Sequence, residues 1–137
     1  MAALMEQLST YPISTTSDTV DAIGRKIAEV SALDHMMILG YEIDDRIVGT
    51  CTVGRLEGVS KGCRPFAVIE NVVVLDSVRR KGIGTLLVRR AIDQAEAWNC
   101  YKVILETGSK KEGTLTFYEE CDLTRGGKTA FMKRFGA

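Results

Sequence analysis

Apolar residues recur every third or fourth position in some stretches of the chain and every second position, or continuously, in others, so the pattern predicts both helices and strands. Ala3, Leu4 and Leu8 share one side of a short helix that Tyr11-Pro12 ends, because the residue before a proline is pushed out of helical geometry. Ser14 to Asp18 reads as a loop and cap, after which Val20, Ile23, Ile27 and Val30 keep helical spacing. From His35 the period changes. Met36 to Ile43 and Arg46 to Val53, the latter with β-branched Thr50 and Thr52, read as two strands joined by a turn at Asp44-Asp45. Gly58 to Pro65 reads as a surface loop, and Phe66 to Leu75 as a buried third strand.

Helical spacing returns with Ile83, Leu87, Ala91, Ala95 and Trp98, which Leu86, Val88 and Ile92 widen into a stripe while Arg89, Arg90, Asp93 and Glu96 stay outside it. Tyr101 to Leu105 reads as a strand. The intervening helix supplies the crossover that lets it run parallel to Phe66 to Leu75. A loop over Gly108 to Gly113, a short helix over Thr114 to Cys121, a turn at Gly126-Gly127 and a terminal strand over Ala130 to Phe135 complete the expectation. The fold class is α/β in the broad α+β sense, with a mixed, mainly antiparallel sheet flanked by helices.

A chain of 137 residues with 45% hydrophobic composition has enough apolar material for one core, so a single domain over residues 1–137 is expected. Equal numbers of basic and acidic residues, 18 of each, leave no global field to hold nucleic acid or an acidic membrane. The scattered Cys51, Cys63, Cys100 and Cys121, with His35 as the lone histidine, have no metal-ligand spacing, and reduced thiols are expected. Cys100 and Cys121 read as packing residues, His35 as a strand-end or surface histidine, and Lys61 and Arg64 as members of a solvated loop. No metal, nucleic-acid or membrane partner is expected, and a cytoplasmic location follows by default.

The candidate chemistry lies where the valine-rich third strand turns into the long helix, through Arg79-Arg80-Lys81-Gly82-Ile83-Gly84. Amides at the first turn of a helix lack intrahelical partners and, with the helix dipole and cationic side chains, suit a phosphate or pyrophosphate. Neither Gly82 nor Gly84 precedes Lys-Ser/Thr, so the P-loop fails, and Leu87 stands where the dinucleotide fingerprint needs a third small residue.

Arg79, Gly82 and Gly84 complete the pattern [Q/R]-x-x-G-x-[G/A] ahead of a leucine-rich helix, which resembles the acetyl-CoA-binding motif of the GCN5-related N-acetyltransferase (GNAT) superfamily. Phe117-Tyr118-Glu119-Glu120-Cys121-Asp122-Leu123 is similar to that family's F-Y-x-x-x-G-F segment, and Ile69-Glu70-Asn71 sits where many members carry an acidic residue on the central strand. Residues 64–135 resemble a bacterial branch of the superfamily. Ile69 to Val74 and Asn99 to Lys102 are also similar to its glucosamine-6-phosphate N-acetyltransferases. The sequence departs from the pattern at Asp76, Asp122 and Leu123, which stand for a proline, a glycine and an aromatic residue, and in opening almost in a helix where the family places a first strand.

The resemblance implies a GNAT-like fold and transfer of acetyl from acetyl-CoA directly to a primary amine of a small molecule or peptide. The alternative is a non-catalytic acyl-CoA-binding or regulatory module. Val72, Val73 and Val74 would offer backbone groups to the pantetheine arm and thioester oxygen, and Arg79, Arg80, Lys81, Gly82, Ile83, Gly84 and Thr85 would hold the pyrophosphate. Phe117 would pack against the cofactor. Glu70 is the candidate general base, with its pKa raised by burial on the strand, and Tyr118, with a reference pKa of about 10, the candidate general acid. A homodimer is expected from the family and from the sheet edge that a missing first strand leaves open.

Overall fold

The computed structural model describes residues 17–136 of the chain. The helix expected around Ala3 to Leu8 and the sheet strand expected to be missing before it lie outside the described residues. The order of elements is α1 (Ser17–Ser31), β1 (Met36–Ile43), β2 (Arg46–Leu56), a 3-10 turn (Lys61–Cys63), β3 (Phe66–Val74), a second 3-10 turn (Asp76–Val78), α2 (Ile83–Ala97), β4 (Val103–Leu105) and α3 (Glu112–Glu120). The chain divides into two compact units between Leu105 and Glu106.

In the first unit the four strands form one sheet in the order β1-β2-β3-β4. The first two pairings are antiparallel and the last is parallel, so the sheet is mixed and mainly antiparallel. The β1-β2 hairpin closes on the pair Ile43 and Arg46 through Asp44 (φ 50°) and Asp45 (φ 62°). Two left-handed residues in a two-residue loop match the right-handed twist of the strands, and aspartate is among the few side chains that tolerate the geometry.

Alternation along β2 divides its side chains between two helices. Gly49 and Cys51 face α2. A Cβ on Gly49 would stand 3.1 Å from both Ile83 Cγ2 and Leu87 Cδ1, and the Cys51 Sγ reaches the Leu87 carbonyl at 3.6 Å. Thr50 and Thr52 face the side on which α1 lies, beside Ile23 and Ile27. The buried core of this unit consists of Val30 from α1, Val48, Cys51, Val53, Ala67, Ile69 and Val73 from the sheet and Ile83, Leu87, Val88, Ala91 and Ala95 from α2. Burial pushes the Cys51 thiol up to about 11.

Both long connections end helices by the same device. Past α2, the Cys100 amide donates to Ala95 O (3.0 Å) and the Asn99 amide to Glu96 O (2.9 Å), with Asn99 at φ 60°. This is the Schellman arrangement, and Asn takes the position usually given to glycine. Arg64 fixes the exit: its Nε donates to Asn99 O (3.2 Å) and its Nη2 to Cys100 O (3.0 Å). Arg64 is therefore a structural clamp at the end of α2, where the sequence suggests only a solvated loop. The chain then enters β4, whose parallel register sets Ala67 opposite Val103 and Ile69 opposite Leu105.

The second unit is built on α3. Arg125 Nη2 donates to Glu112 Oε1 at 2.9 Å and also to Glu119, bridging both ends of the helix. The guanidinium holds the Glu112 carboxyl below its ordinary value, first by hydrogen bonding and then by charge. The strand expected over Ala130 to Phe135 is not formed: those residues carry no strand pairing, and Phe131 is 94% exposed. Apolar and β-favouring residues become a strand only where a ladder partner exists.

Candidate active site

The third strand carries one residue more than its neighbour can match. Thr50 pairs with Val73 and Thr52 with Glu70, so Cys51 stands opposite both Asn71 and Val72. Asn71, at φ 56°, is the bulge. Directly paired residues share a face, so Glu70 projects on the face of Thr52, Val73 on that of Thr50, and Val74 beside Gly49 toward α2. The extra residue thus puts Val73 and Val74 on the faces opposite to those that unbroken alternation from Glu70 would give them.

The face that carries Glu70 also borders a pocket of about 200 Å³, lined by Ile23, Lys26 and Ile27 of α1, Ile38 of β1, Thr50 and Thr52 of β2, and Asn71. Glu70 itself is exposed. The burial on which its expected activation rests is absent, because the bulge and the end of β4 leave this part of the strand covered on one edge only.

On the other edge of β3 the ladder with β4 stops at Ile69, and among the described residues no strand pairs with β3 on that side beyond it. The Leu75 amide donates to Val48 O at 2.9 Å, toward β2. By the alternation of an antiparallel pair, the peptide groups of Val72 and Val74 point to the opposite edge and that of Val73 toward β2. The Val74 carbonyl on this edge accepts from Arg79 Nε at 3.3 Å.

The strand leads into the basic turn. Arg80 (φ 68°) and Gly82 (φ 76°) are both left-handed, and Gly82 is the N-cap of α2 with no side-chain cap bond. Leu86 is the first amide bonded within the helix, to Gly82 O at 3.1 Å. The amides of Ile83, Gly84 and Thr85 therefore face outward from the positive end of the helix, whose first turn has no acidic residue. Arg79 is tied back to the strand, its Nε to Val74 O (3.3 Å) and its Nη1 to Asp76 Oδ1 (2.7 Å). Asp76, which departs from the expected proline, thus orients the motif arginine. Arg80 and Lys81 are exposed, and no ion pair among the described residues engages them. A cradle of amides with two unengaged cations beside it fits a pyrophosphate.

Phe117 and Tyr118 stand half-buried on α3 in the second unit, their ring centroids 4.8 Å apart and their planes tilted by 53°. Tyr118 O accepts from the Cys121 amide (3.1 Å) and the Leu123 amide (3.3 Å), and the Asp122 amide donates to Glu119 O (3.1 Å). Asp122, at φ 67°, occupies the left-handed position of a Schellman end just as a glycine would. The aspartate therefore leaves this helix end in its usual geometry.

The first unit brings Glu70, Val72 to Val74 and the Arg79 to Thr85 turn onto one strand-turn-helix segment. Lys26, Thr50 and Thr52 line the pocket and are candidates that the sequence expectation misses. Their signals are a lysine set between Ile23 and Ile27 at helical spacing, and two threonines alternating with Gly49, Cys51 and Val53 along one strand. Among the described residues no group of three histidine, cysteine or acidic side chains is placed to hold a metal ion, and no helix is long and apolar enough to cross a membrane.

Comparison with known proteins agrees with this geometry. The model of the acetyltransferase (GNAT) family matches residues 2–123. A glucosamine 6-phosphate N-acetyltransferase of Schizosaccharomyces pombe is 37% identical over 81 residues, covering 59% of this chain and 70% of that protein. The solved structure of a putative acetyltransferase from Agrobacterium tumefaciens superposes with a TM-score of 0.85 at 32% identity, covering 97% of this chain and 90% of the other. That of glucosamine-6-phosphate N-acetyltransferase from Arabidopsis thaliana superposes with a TM-score of 0.78 at 27% identity, covering 97% and 86%. The basic turn, the open strand edge and these likenesses converge: the chain belongs to the acetyltransferase (GNAT) family and is an acetyl-CoA-dependent N-acetyltransferase.

Proposed function

We propose that the chain acetylates the primary amine of a small molecule or peptide directly, without an acyl-enzyme, and that residues 1–137 act as one acetyltransferase domain. The observation that carries the reading is the open edge of β3, which runs from Glu70 into the uncapped N-terminus of α2. The family match supports the single domain, since it crosses the division between the two units. A homodimer and a cytoplasmic location belong to the same reading, and the exposed Phe131, Met132 and Phe135 support the dimer.

In this reading the amides of Ile83, Gly84 and Thr85, with Arg80 and Lys81, hold the pyrophosphate of acetyl-CoA, and Arg79 braces the strand end. The peptide groups of Val72 and Val74 receive the pantetheine arm and orient the thioester, while Phe117 packs against it. The amine enters from the pocket face. Its nitrogen forms the new bond to the thioester carbonyl carbon, the carbon–sulfur bond breaks, and Glu70 takes the amine proton through water. The Tyr118 hydroxyl donates a proton to the departing sulfur. A pocket of about 200 Å³ lies below the roughly 300–1,000 Å³ typical of drug-sized ligands, which favours a small acceptor. The relatives named for glucosamine 6-phosphate make an amino-sugar phosphate the first acceptor to assay.

Calorimetry with acetyl-CoA and with CoA, followed by a free-thiol assay over an amine panel, tests the reading. Micromolar binding with amine-dependent thiol release supports it. Binding without turnover on any amine leaves only the acyl-CoA-binding alternative, and no binding removes both.

A further inference from the structure

The nine residues of α3 are too few to hold a helix by propensity alone, and none of them is fully buried, so packing alone does not lock its roll. Polar contacts tie down its two ends instead. At the start, the Lys111 amide donates to Ser109 Oγ (3.3 Å), which in turn meets Thr114 Oγ1 (3.2 Å). At the finish, Glu119 and Glu120 sit where the helix dipole is negative, and the last turn has no basic residue to offset them. Arg125 supplies that cation from beyond the helix. Both N–H groups of its Nη2 are used, one on Glu112 Oε1 at 2.9 Å and the other on Glu119 Oε1. Glu112 and Glu119 are two turns apart on one face, so a single nitrogen ties the first turn to the last. Phe117 and Tyr118 fall on the other face by the same period. A lone ion pair as exposed as this one contributes little, whereas three charges sharing one nitrogen form a network.

We propose that Arg125 is a positioning residue for acetyl transfer: by joining Glu112 to Glu119 it fixes the roll of α3 and with it the direction in which the Tyr118 hydroxyl is presented. The inference rests on the acetyltransferase reading above, in which Tyr118 donates a proton to the departing sulfur, and adds what aims that hydroxyl. A proton donor works only within hydrogen-bond reach of its target, roughly 2.6–3.2 Å, so a small rotation of the helix takes the hydroxyl out of range. The Phe117 ring, 4.8 Å from that of Tyr118, does not prevent this, because it turns with the same helix.

A double-substitution cycle tests the proposal, with acetyl-CoA and the fastest amine of the panel above. Arg125→Met should lower kcat by roughly tenfold and leave the KM of both substrates within about twofold, since it misplaces a group that acts in the transition state. Arg125→Lys, which keeps the charge without the planar fork, should recover part of the loss. In a Tyr118→Phe background, where there is no hydroxyl left to aim, adding Arg125→Met should cost no more than about twofold. Circular dichroism and the denaturant midpoint report whether each variant folds. Should Arg125→Met not fold, Glu119→Gln keeps the bond to Glu112 and should show a smaller loss with the same dependence on Tyr118. An unchanged kcat, a loss carried by KM, or a fall that persists in full without the Tyr118 hydroxyl overturns the inference and leaves acetyl transfer standing. If Tyr118→Phe alone does not lower kcat, the general-acid role falls and this inference with it, and failure of every amine to release thiol overturns the acetyltransferase reading as well.

Discussion

Glu70 and Tyr118 are asked to move protons in opposite directions, so their substitutions should separate in a pH profile. Tyr118→Phe keeps the ring against Phe117 and removes only the hydroxyl; kcat should fall by roughly 10²-fold or more with the KM for acetyl-CoA little changed. Glu70→Gln should lower the rate most strongly on the plateau, where a carboxylate base acts, and flatten the acidic limb. A Tyr118→Phe enzyme with unaltered kcat, or a profile indifferent to Glu70→Gln, would remove the corresponding role. Cys51 makes a different pH prediction. Burial pushes its thiol from the ordinary 9.0 up to about 11, so the folded state holds the proton more tightly than the unfolded one. The stability this contributes is complete below pH 9 and is lost as pH rises through 11. Alkaline unfolding followed by circular dichroism should show that loss, and a thiol reagent at pH 8 should label exposed Cys63 and spare Cys51. At this scale the sequence is informative wherever a function is written in one local run, as in Arg79 to Gly84. It is silent on exposure: nothing in Ile69-Glu70-Asn71 tells that Glu70 faces solvent, because that depends on where β4 stops.

Among the elements, α2 has to hold two positions at once, its stripe against the sheet and its first turn at the end of β3. Gly49 sets the distance between them. Since an added Cβ would meet Ile83 and Leu87 at 3.1 Å, Gly49→Ala should displace the first turn of α2. It should destabilise the protein by about 1–3 kcal/mol and weaken acetyl-CoA binding measured by calorimetry more than acceptor binding. Asp122 offers the opposite change. It holds a left-handed conformation that costs most L residues about 1–2 kcal/mol, so Asp122→Gly should raise the denaturant midpoint by an amount equivalent to about 1 kcal/mol with activity retained. Both helix ends are legible in part: a periodic stripe announces the helix, while Asn99 and Asp122 are recognisable as left-handed stops only once the 6→1 and 5→2 bonds are present. The misread strand over Ala130 to Phe135 fails for the same reason, since a strand is defined by a partner that its own residues do not encode.

For the molecule as a whole, the order of elements and the mixed sheet are readable from periodicity because each element is local, and the parallel pairing follows from the crossover that α2 provides. The pocket is not readable in that way. Its lining comes from α1, β1, β2 and β3, and the register of two pairings decides which side of each strand it receives. The bulge at Asn71 makes this dependence concrete in genetic terms. Loss of a single codon at position 71 would preserve the composition of β3, its β-favouring residues and the whole Arg79 to Gly84 motif. A reader comparing sequences would score it as a minor gap. Yet the bulge would be gone: Val72 alone would stand opposite Cys51, Val73 and Val74 would keep their faces, and the left-handed kink and the Asn71 amide at the pocket wall would be lost. Within this family member, tolerance of insertion and deletion is thus a sharper indicator of an intact site than tolerance of substitution.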